Sequence, residues 1–380
     1  MQNKEPNPIS LRIINRAKVY SSIYHHKYIS KQQLVESLHM SLSTVSQNLQ
    51  TLEQEGLILR DGYFDSTGGR KSQIIQINRQ SGISIGIGLQ KEQLHLAAVD
   101  LYGSLLHSAT IPLPYFHAEE YYSRTCDELH RFIRQNHLPA ESILGVSIAA
   151  QGLVSADGQM IRYGVIMDNE QMRLSDFQKH IPWPCRLEHD SKAAGFLELW
   201  NHPDITDALV LLLNGNLGGA MIINGQLHRG MHMQSSIVEH LCIDPDGPLC
   251  YCGRRGCLET FCSANALKAS AGTDISSFFM HLRGKNPYAV SVWDTYLDHL
   301  AYAIRNINIV VDGVIIISGY LAPFFTPEDT TLLLEKINDN NPFPLSADQI
   351  LFGTQGQYTP AIGAALYYIR EFVTAQSQTI

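Results

Sequence analysis

The chain has 380 residues, of which 44% are hydrophobic and 9% aromatic, and this composition excludes a mainly disordered protein. Its formal charge of −8 argues against a surface that is basic throughout and binds nucleic acid over its whole area. No apolar stretch approaches the roughly 18 residues of a membrane span, and the N-terminus lacks the apolar segment of a secretion signal. We therefore expect a cytoplasmic protein without a membrane partner.

The charge is distributed unevenly along the chain. Residues 1–79 carry ten basic and six acidic side chains, a net charge of +4, whereas the remaining residues carry 18 and 30, a net charge of −12. We call residues 1–79 the head and the rest the body. Only the head has the charge expected of a nucleic-acid-binding domain.

The head begins with three predicted helices. The first has one apolar stripe, formed by Ile13, Ala17, Tyr20 and Tyr24. The second opens at Ser30-Lys-Gln-Gln33, a capping-box pattern in which both side chains satisfy free backbone N–H groups. The third is capped by Ser41 or Ser43 and ends at Gly56. Its buried face is expected to contain Leu42, Val45, Leu49 and Leu52.

The outward face of the third helix is uncharged and rich in hydrogen-bonding side chains. The DNA contacts predicted from it are Ser43, Thr44, Ser46, Gln47 and Asn48. Such a face suits a helix whose N-terminal half enters the major groove of DNA and meets base edges. An ordinary solvated helix face is the alternative interpretation.

Two predicted strands, residues 57–60 and 74–77, follow the third helix. The loop between them reads Ser66-Thr-Gly-Gly-Arg-Lys71, and its two glycines permit a tight tip. Gly69, Arg70 and Lys71 are expected to contact phosphates or the minor groove, although an ordinary solvated turn is the alternative. Three helices followed by a basic hairpin predict a winged helix-turn-helix domain whose partner is double-stranded DNA.

The body is predicted to be an α/β structure. Strands are expected over residues 83–89, 94–99, 143–150, 209–213, 221–223 and 314–318, and long helices over residues 119–136 and 292–311. Its length of about 300 residues exceeds that of a usual single core, so we expect two lobes.

A cluster of cysteines indicates a metal site. His240 is followed by Cys250-Tyr-Cys252-Gly-Arg-Arg-Gly-Cys257, which supplies one imidazole and three thiols with glycines that allow the chain to turn around an ion. Four nitrogen and sulfur ligands are typical of a structural Zn²⁺ site. Unconnected buried cysteines are the alternative, and Cys242 and Cys262 are spare thiols for the fourth position.

Several motifs together resemble those of the ROK family, which contains repressors, open reading frames and sugar kinases. They are His240, the segment Cys250-x-Cys252-Gly-x-x-Gly-Cys257-Leu-Glu259, and a winged head with Thr67-Gly-Gly-Arg70. The resemblance covers nearly the whole chain. It implies an actin-like or hexokinase-like (ribonuclease H-like) pair of lobes with a sugar cleft between them, and the head is typical of the repressor branch, exemplified by xylose and N-acetylglucosamine repressors.

The expected division of the chain has three parts. The head is a winged helix-turn-helix domain over residues 1–79. Lobe I covers residues 80–190 and is completed by residues 356–380, and lobe II, with the zinc site, covers residues 191–355.

The resemblance also bears on kinase chemistry, which needs a base and loops of bare backbone around ATP. It places Asp190 at the catalytic aspartate, although Asp190 is equally interpretable as a helix N-cap. The phosphate and nucleotide loops differ from those of the kinases at Gln90, Lys91 and Glu92, within 214–219, and at Tyr320. Side chains would fill the space that phosphates need, so we expect no enzyme activity.

The residues implied as sugar contacts match the family in part. Asp190, His240 and Glu259 match, and His189 stands where the family has asparagine. Ile237 replaces a glutamate, and Glu239 falls where the family has glycine. The effector is therefore expected to be a different sugar, a sugar derivative, or absent. For His240 the metal role is the main expectation, with a sugar contact by its other ring nitrogen as the second.

The leading hypothesis is a DNA-binding transcriptional repressor of carbohydrate genes, a homodimer or homotetramer on a palindromic operator, with a non-catalytic, sugar-sensing body. One alternative is an active sugar kinase with an added head. Another is a repressor controlled by a protein partner, with a vestigial sugar cleft.

Overall fold

The computed structural model of the protein describes residues 8–65 and 71–378. In these residues no helix is long and apolar enough to cross a membrane. The predicted fold class is confirmed: a winged head precedes a mixed α/β body built on two five-stranded sheets.

The head consists of three helices and a β-hairpin. Its elements are α1 (Pro8–His26), α2 (Lys31–Leu38), α3 (Leu42–Gln54), β1 (Ile58–Tyr63) and β2 (Gln73–Ile77), and the two strands pair antiparallel. The capping box is confirmed, because Ser30 Oγ accepts from the N–H of Gln33 at 3.3 Å and Gln33 Oε1 accepts from the N–H of Ser30 at 2.8 Å. Ser41 caps α3. The predicted DNA contacts Gly69 and Arg70 lie outside the described residues.

Two residues predicted to face the core of the head are exposed instead. Ile13 is 48% exposed, because residues 11–16 of α1 extend past the core, which begins at Ala17. Leu42 is 57% exposed, because it is the first residue of α3 and lies before the turn that packs on α1 and α2. Both predictions were wrong near the start of a helix. There the apolar periodicity of the sequence continues, but no neighbouring element packs against the helix.

The first half of the body forms a sheet with the strand order β5-β4-β3-β6-β9. Its elements in chain order are β3 (Ile83–Leu89), β4 (Gln93–Val99), β5 (Leu105–Pro112), α4 (Glu119–Gln135), β6 (Ile143–Ala150), β7 (Leu153–Val154), β8 (Ile161–Tyr163), α5 (Leu174–Gln178), β9 (Cys185–His189) and α6 (Asp190–Asn201). Strands β3, β6 and β9 run parallel, and β4 and β5 extend the sheet as an antiparallel meander. Every residue of β3 is buried, as expected for a strand covered on both faces.

The second half forms a sheet with the order β12-β11-β10-β13-β14. Its elements are β10 (Ala208–Leu213), β11 (Leu217–Ile223), β12 (Gln226–His228), α7 (Glu259–Cys262), α8 (Ala264–Ala271), α9 (Ile275–Arg283), α10 (Pro287–Val311), β13 (Val314–Ser318), α11 (Pro327–Asn338) and β14 (Ile350–Phe352). Helices α8 to α11 pack on one face and bury a core that includes Trp293 and Tyr296, whose rings stack at 5.0 Å.

The last helix, α12 (Thr359–Ser377), packs on the first sheet and on α6. Gly86 makes the close approach possible, because a Cβ there would lie 1.7 Å from the carbonyl oxygen of Ala361. Gly363 does the same on the other side, where a Cβ would lie 1.9 Å from the carbonyl oxygen of Ala193. This packing supports the proposed assignment of residues 356–380 to lobe I, and the division at residues 79 and 190 stays our proposal.

The head and the body share an apolar core. Tyr20 and Ile23 of α1 belong to the same buried cluster as Leu101 and residues of α12. The Tyr24 ring stacks on Tyr102 with 4.8 Å between centroids, and the Tyr24 hydroxyl donates to the Leu101 carbonyl at 2.9 Å. The head is thus packed on the body where the β4 to β5 turn meets α12.

Candidate ligand cleft, metal centre and DNA-binding surface

A cleft between the two sheets collects most of the predicted sugar-binding residues. His189 ends β9 and Asp190 begins α6, so that both project from the carboxyl end of a parallel strand. Glu239 and His240 come from a single helical turn, Val238–His240, on the opposite wall. We call this cavity of about 90 Å³ the primary cleft. Its position between two lobes at strand carboxyl ends is typical of ligand sites in α/β proteins.

Asp190 and His189 form a pair on the floor of the primary cleft. Burial raises the pKa of Asp190 to about 7 and lowers that of His189 to about 3. The nearest atoms of the pair, His189 Nε2 and Asp190 Oδ1, are 3.6 Å apart, and His189 Nδ1 is 2.9 Å from the hydroxyl of Ser191. At neutral pH the imidazole is therefore uncharged, and the carboxyl group is close to its midpoint of ionisation.

Glu239 is a cleft residue that the sequence did not identify. Its side chain is buried, Oε2 has no hydrogen-bond partner among the residues that the structure describes, and burial raises its pKa to about 8, with Asp190 adding repulsion. A buried, unpartnered carboxyl oxygen in a cleft is suited to a ligand hydroxyl. The only signal in the sequence was a carboxylate beside His240, and it was set aside because the family has glycine there.

Glu259 lies away from the lining of the primary cleft. Its Oε1 accepts from Asn216 Nδ2 at 2.7 Å and its Oε2 from the N–H of Leu217 at 2.6 Å, and burial raises its pKa to about 7. Both oxygens are thus used to hold the turn before β11. The structure thus gives Glu259 a role in supporting that turn, and the sugar contact expected from the resemblance stays a prediction.

The predicted metal ligands converge. The ligand atoms of His240, Cys250, Cys252 and Cys257 all lie within 4.8 Å of one another. The distance from Cys250 Sγ to His240 Nδ1 is 3.6 Å, and that between the sulfurs of Cys252 and Cys257 is also 3.6 Å. Tetrahedral zinc with ordinary bond lengths requires about 3.6 Å between sulfur and nitrogen and about 3.7 Å between two sulfurs, so the cluster fits this ion.

The chain around the cluster is shaped for close packing. Gly256 has φ of +70°, and a Cβ there would lie 1.4 Å from the carbonyl oxygen of Asp244, so only glycine fits. Among the described residues, the spare thiols are not part of the group: Cys242 is exposed and donates to the Arg255 carbonyl at 3.6 Å, and Cys262 is buried elsewhere. The same ring of His240 that faces Cys250 through Nδ1 also lines the primary cleft.

A second, larger cavity of about 520 Å³ adjoins the first, and we call it the secondary cleft. It is lined by the residues that the resemblance placed at the nucleotide: Gln90, Lys91, Glu92 and Tyr320. Gln151 lines both cavities. The side chains of these residues thus line the region in which the resemblance places the nucleotide.

One ion pair joins the two halves of the body behind the primary cleft. Arg229 donates to both carboxylate oxygens of Glu188, at 2.8 and 2.7 Å, and to the Tyr367 hydroxyl of α12 at 3.0 Å. The Glu188 side chain is only 4% exposed and the Arg229 side chain 33%, so the carboxylate of this bidentate pair is shielded from water. The sequence did not predict it, because the partners are distant along the chain and lie in different lobes.

The exposure expected for the outward residues of α3 is found in part, and their contact with DNA stays a prediction. Ser43 and Gln47 are exposed, Thr44 and Ser46 are half-buried, and Lys71 is exposed at the base of the hairpin. Asn48 is wrong as an outward residue: it is 6% exposed, and its Nδ2 donates to the Thr44 carbonyl at 2.9 Å. Asn48 lies one helical turn after Thr44, next to the buried Leu49, on the side of α3 that faces the core.

The fold and these sites define a hexokinase-like body that carries a winged DNA-binding head. The chain belongs to the ROK family, whose sequence profile matches residues 82–370. A profile described as winged helix-turn-helix DNA-binding matches residues 14–58.

Individual relatives agree with both parts. The xylose repressor of Bacillus subtilis strain 168 is 28% identical over 269 residues, 68% of each chain. A crystal structure of a ROK family transcriptional regulator, described as a homologue of the E. coli MLC protein, superposes with a TM-score of 0.70 at 18% identity over 97% of this chain and 99% of the other. A ROK family glucokinase from Streptomyces griseus, in complex with glucose and AMPPNP, reaches a TM-score of 0.65 at 20% identity over 75% of this chain and 99% of its own.

Proposed function

We propose that this protein is a transcriptional repressor of carbohydrate genes, in which the head binds DNA and the body binds a sugar or sugar derivative. The observation that carries the proposal is the winged head, whose α3 exposes the uncharged donors and acceptors of Ser43 and Gln47. The name of the Bacillus subtilis relative, xylose repressor, supports the same conclusion. A homodimer or homotetramer would bind a palindromic operator with half-sites about one or two helical turns apart.

The body is proposed to sense its ligand without phosphorylating it. Gln90 and Lys91 fill space where phosphate needs bare backbone, and the Glu92 carboxylate would repel the phosphates of ATP. In the primary cleft, Asp190 and Glu239 would accept from sugar hydroxyls, and His240 would orient the ring through its free nitrogen. These groups bind and orient, and no step of a reaction is assigned to them.

The route from cleft to head is proposed to run through Arg229. Glu188 is the neighbour of His189 in β9, and Arg229 ties it to Tyr367 on α12, which in turn contacts α1. A sugar that draws the two lobes together would shift this contact and thereby change how α1 packs on the body. The ligand must bind the DNA-competent and incompetent shapes unequally, because otherwise no equilibrium moves.

The His–Cys₃ cluster is proposed to hold a structural Zn²⁺. Four protein ligands close the coordination sphere, so the ion would stabilise the loop after His240 and leave no position for a reacting water. It would also fix the orientation of His240, which the primary cleft needs.

The DNA-binding part is tested with an operator selected from random duplexes and measured by fluorescence anisotropy. Gln47→Ala should lower affinity for the selected site by about 1–3 kcal/mol while leaving non-specific DNA unaffected, because Gln47 is proposed to read a base. Lys71→Ala should weaken binding to all sequences and reduce the salt slope by about 1. Gln54→Ala, exposed at the far end of α3, is the matched control. Unchanged binding in both test variants would remove the docking of α3 in the groove.

A sugar kinase is the second candidate, and one observation favours it. Asp190 lies in the cleft with a pKa of about 7, which suits a general base. ATP consumption with a panel of hexoses, pentoses and amino sugars distinguishes the two. We expect no turnover, whereas sugar-dependent phosphorylation that Asp190→Asn abolishes would establish the kinase.

A further inference from the structure

The secondary cleft shares a lining residue with the primary cleft and is the roomier of the two. The cavities measure about 520 and about 90 Å³, and they meet at Gln151, a buried residue that follows β6. Its carbonyl oxygen accepts from Asn169 Nδ2 at 2.9 Å, which holds the junction in place. The shared residue makes the two cavities neighbours in the structure.

The lining of the secondary cleft is rich in neutral amides. It contains Gln90, Gln93, Gln151, Asn216, Asn265 and Gln357. Each amide both donates and accepts hydrogen bonds, as each sugar hydroxyl does. The charged lining residues are balanced, with Lys91 and Lys268 against Glu92 and Asp274. This chemistry favours an uncharged polyhydroxyl ligand over a polyanion such as a nucleoside triphosphate.

Two of these amides, Gln93 and Gln357, form a wall that is held by a hydrogen-bond network of uncharged groups. The Nε atoms of Gln93 and His95 are 3.3 Å apart, and His95 Nδ1 is 3.0 Å from the hydroxyl of Thr110. That hydroxyl is also 3.0 Å from the hydroxyl of Tyr358 and accepts from Gln357 Nε2 at 3.1 Å. His95 is buried, and burial lowers its pKa to about 4, so it is neutral at physiological pH. The wall is thus pre-organised, which reduces the entropy lost when a ligand binds.

Tyr320 adds an aromatic ring to the lining of the secondary cleft. Its backbone N–H donates to Asn214 Oδ1 at 2.7 Å, and its ring meets Phe324 edge-on with 5.9 Å between centroids. Gly319 before it has φ of +85°, and a Cβ there would lie 2.6 Å from Asn214 Oδ1, so the turn that presents Tyr320 requires glycine. A fixed, half-buried aromatic ring beside amides is a common lining of ligand pockets.

We propose that the secondary cleft is a second sugar subsite, so that the effector is a disaccharide or longer oligosaccharide with one unit in each cleft. The unit in the primary cleft would meet Asp190 and Glu239, and the next would lie between Tyr320 and the amides of Gln90 and Gln93. This inference rests on the proposed sensing function and specifies the class of its ligand.

The test compares matched pairs of sugars by isothermal titration calorimetry on the full chain. The probes are glucose with cellobiose, xylose with xylobiose, and N-acetylglucosamine with chitobiose. We expect at least one disaccharide to bind about tenfold more tightly than its own monosaccharide, because added hydrogen bonds and contact with Tyr320 act on the second unit alone.

Variants locate the added affinity. Tyr320→Ala and, independently, Gln90→Ala should remove most of the tenfold advantage of the disaccharide while leaving monosaccharide affinity nearly unchanged. Tyr302→Ala, which removes an exposed tyrosine of α10 that lines neither cleft, is the control. Equal affinity for both members of every pair, or AMPPNP binding that Tyr320→Ala abolishes, would overturn the second subsite while leaving sensing intact. Binding of none of the six sugars would overturn the subsite and the sensing function together, and operator binding, measured separately, would show whether the DNA-binding function survives.

Discussion

Replacing Asp190 with asparagine tests the electrostatics of the primary cleft. The wild-type carboxyl group has its pKa raised from 3.8 to about 7 by burial, and the charged and titratable groups around it are His189, Lys192 and Glu239. Asparagine keeps the shape and removes the proton equilibrium. The variant should therefore be more stable than the wild type at alkaline pH, although it lacks a proposed ligand contact.

The sign and size of the pH dependence of stability follow from the pKa values of Asp190 in the unfolded and the folded chain. Below about pH 4 both states carry the proton, and burial of Asp190 costs little. Between about pH 4 and pH 7 the unfolded chain releases the proton and the folded chain keeps it, so folding stability falls as pH rises; above pH 7 the loss is constant. The difference between the two pKa values of Asp190 corresponds to a total loss of about 4 kcal/mol in the free energy of unfolding. About 2 kcal/mol of this loss occurs between pH 5.5 and pH 8.

Urea unfolding followed by tryptophan fluorescence at pH 5.5 and pH 8 measures this difference. The free energy of unfolding of Asp190→Asn, relative to wild type, should rise by about 2 kcal/mol between the two conditions. Ile237→Val changes the same cleft without a titrating group, and its effect should not depend on pH. An Asp190→Asn effect of the same size at both pH values would refute the argument, because Asp190 would then be ionised in the folded protein at pH 5.5.

Three further changes test other parts of the molecule. Arg229→Met should destabilise the fold by about 3–5 kcal/mol in urea, because it leaves the Glu188 carboxylate buried without its partner; a loss below 1 kcal/mol would mean that water reaches Glu188. Cys257→Ser should lose bound zinc, as measured by a colorimetric chelator, while Cys242→Ser keeps it; equal metal content in both variants would contradict the ligand set. Tyr24→Ala should loosen the head and speed proteolysis between head and body without lowering the melting temperature of the body; unchanged cleavage would show that the stacking contact does not hold the head.

The fold was predictable where one continuous pattern decides it. Strands β6 and β13 begin and end at the predicted residues, because each is a short, largely apolar segment rich in β-branched residues, which is typical of a strand covered on both faces. The metal ligands were predictable for a related reason, since three thiols within eight residues leave few alternatives. Both signals are local in sequence.

The remaining features depend on contacts between distant segments. Asn48 sits at the border between the buried and exposed sides of α3, and periodicity alone does not set that border to within one residue. Glu239 enters the cleft through a short helical turn that no sequence period predicts. The bridge from Arg229 to Glu188 and Tyr367 exists only because two lobes and α12 meet at one point.

The position of α12 has a consequence for the order of events during synthesis. This helix covers the face of the first sheet and contributes to the core that α1 shares with the body, yet it follows all strands of both sheets in the chain. A nascent chain emerging from the ribosome would therefore expose β3, β4 and β6 until α12 is translated. The elements of the head would be synthesised first, yet the core that α1 shares with the body would be completed only when α12 is in place.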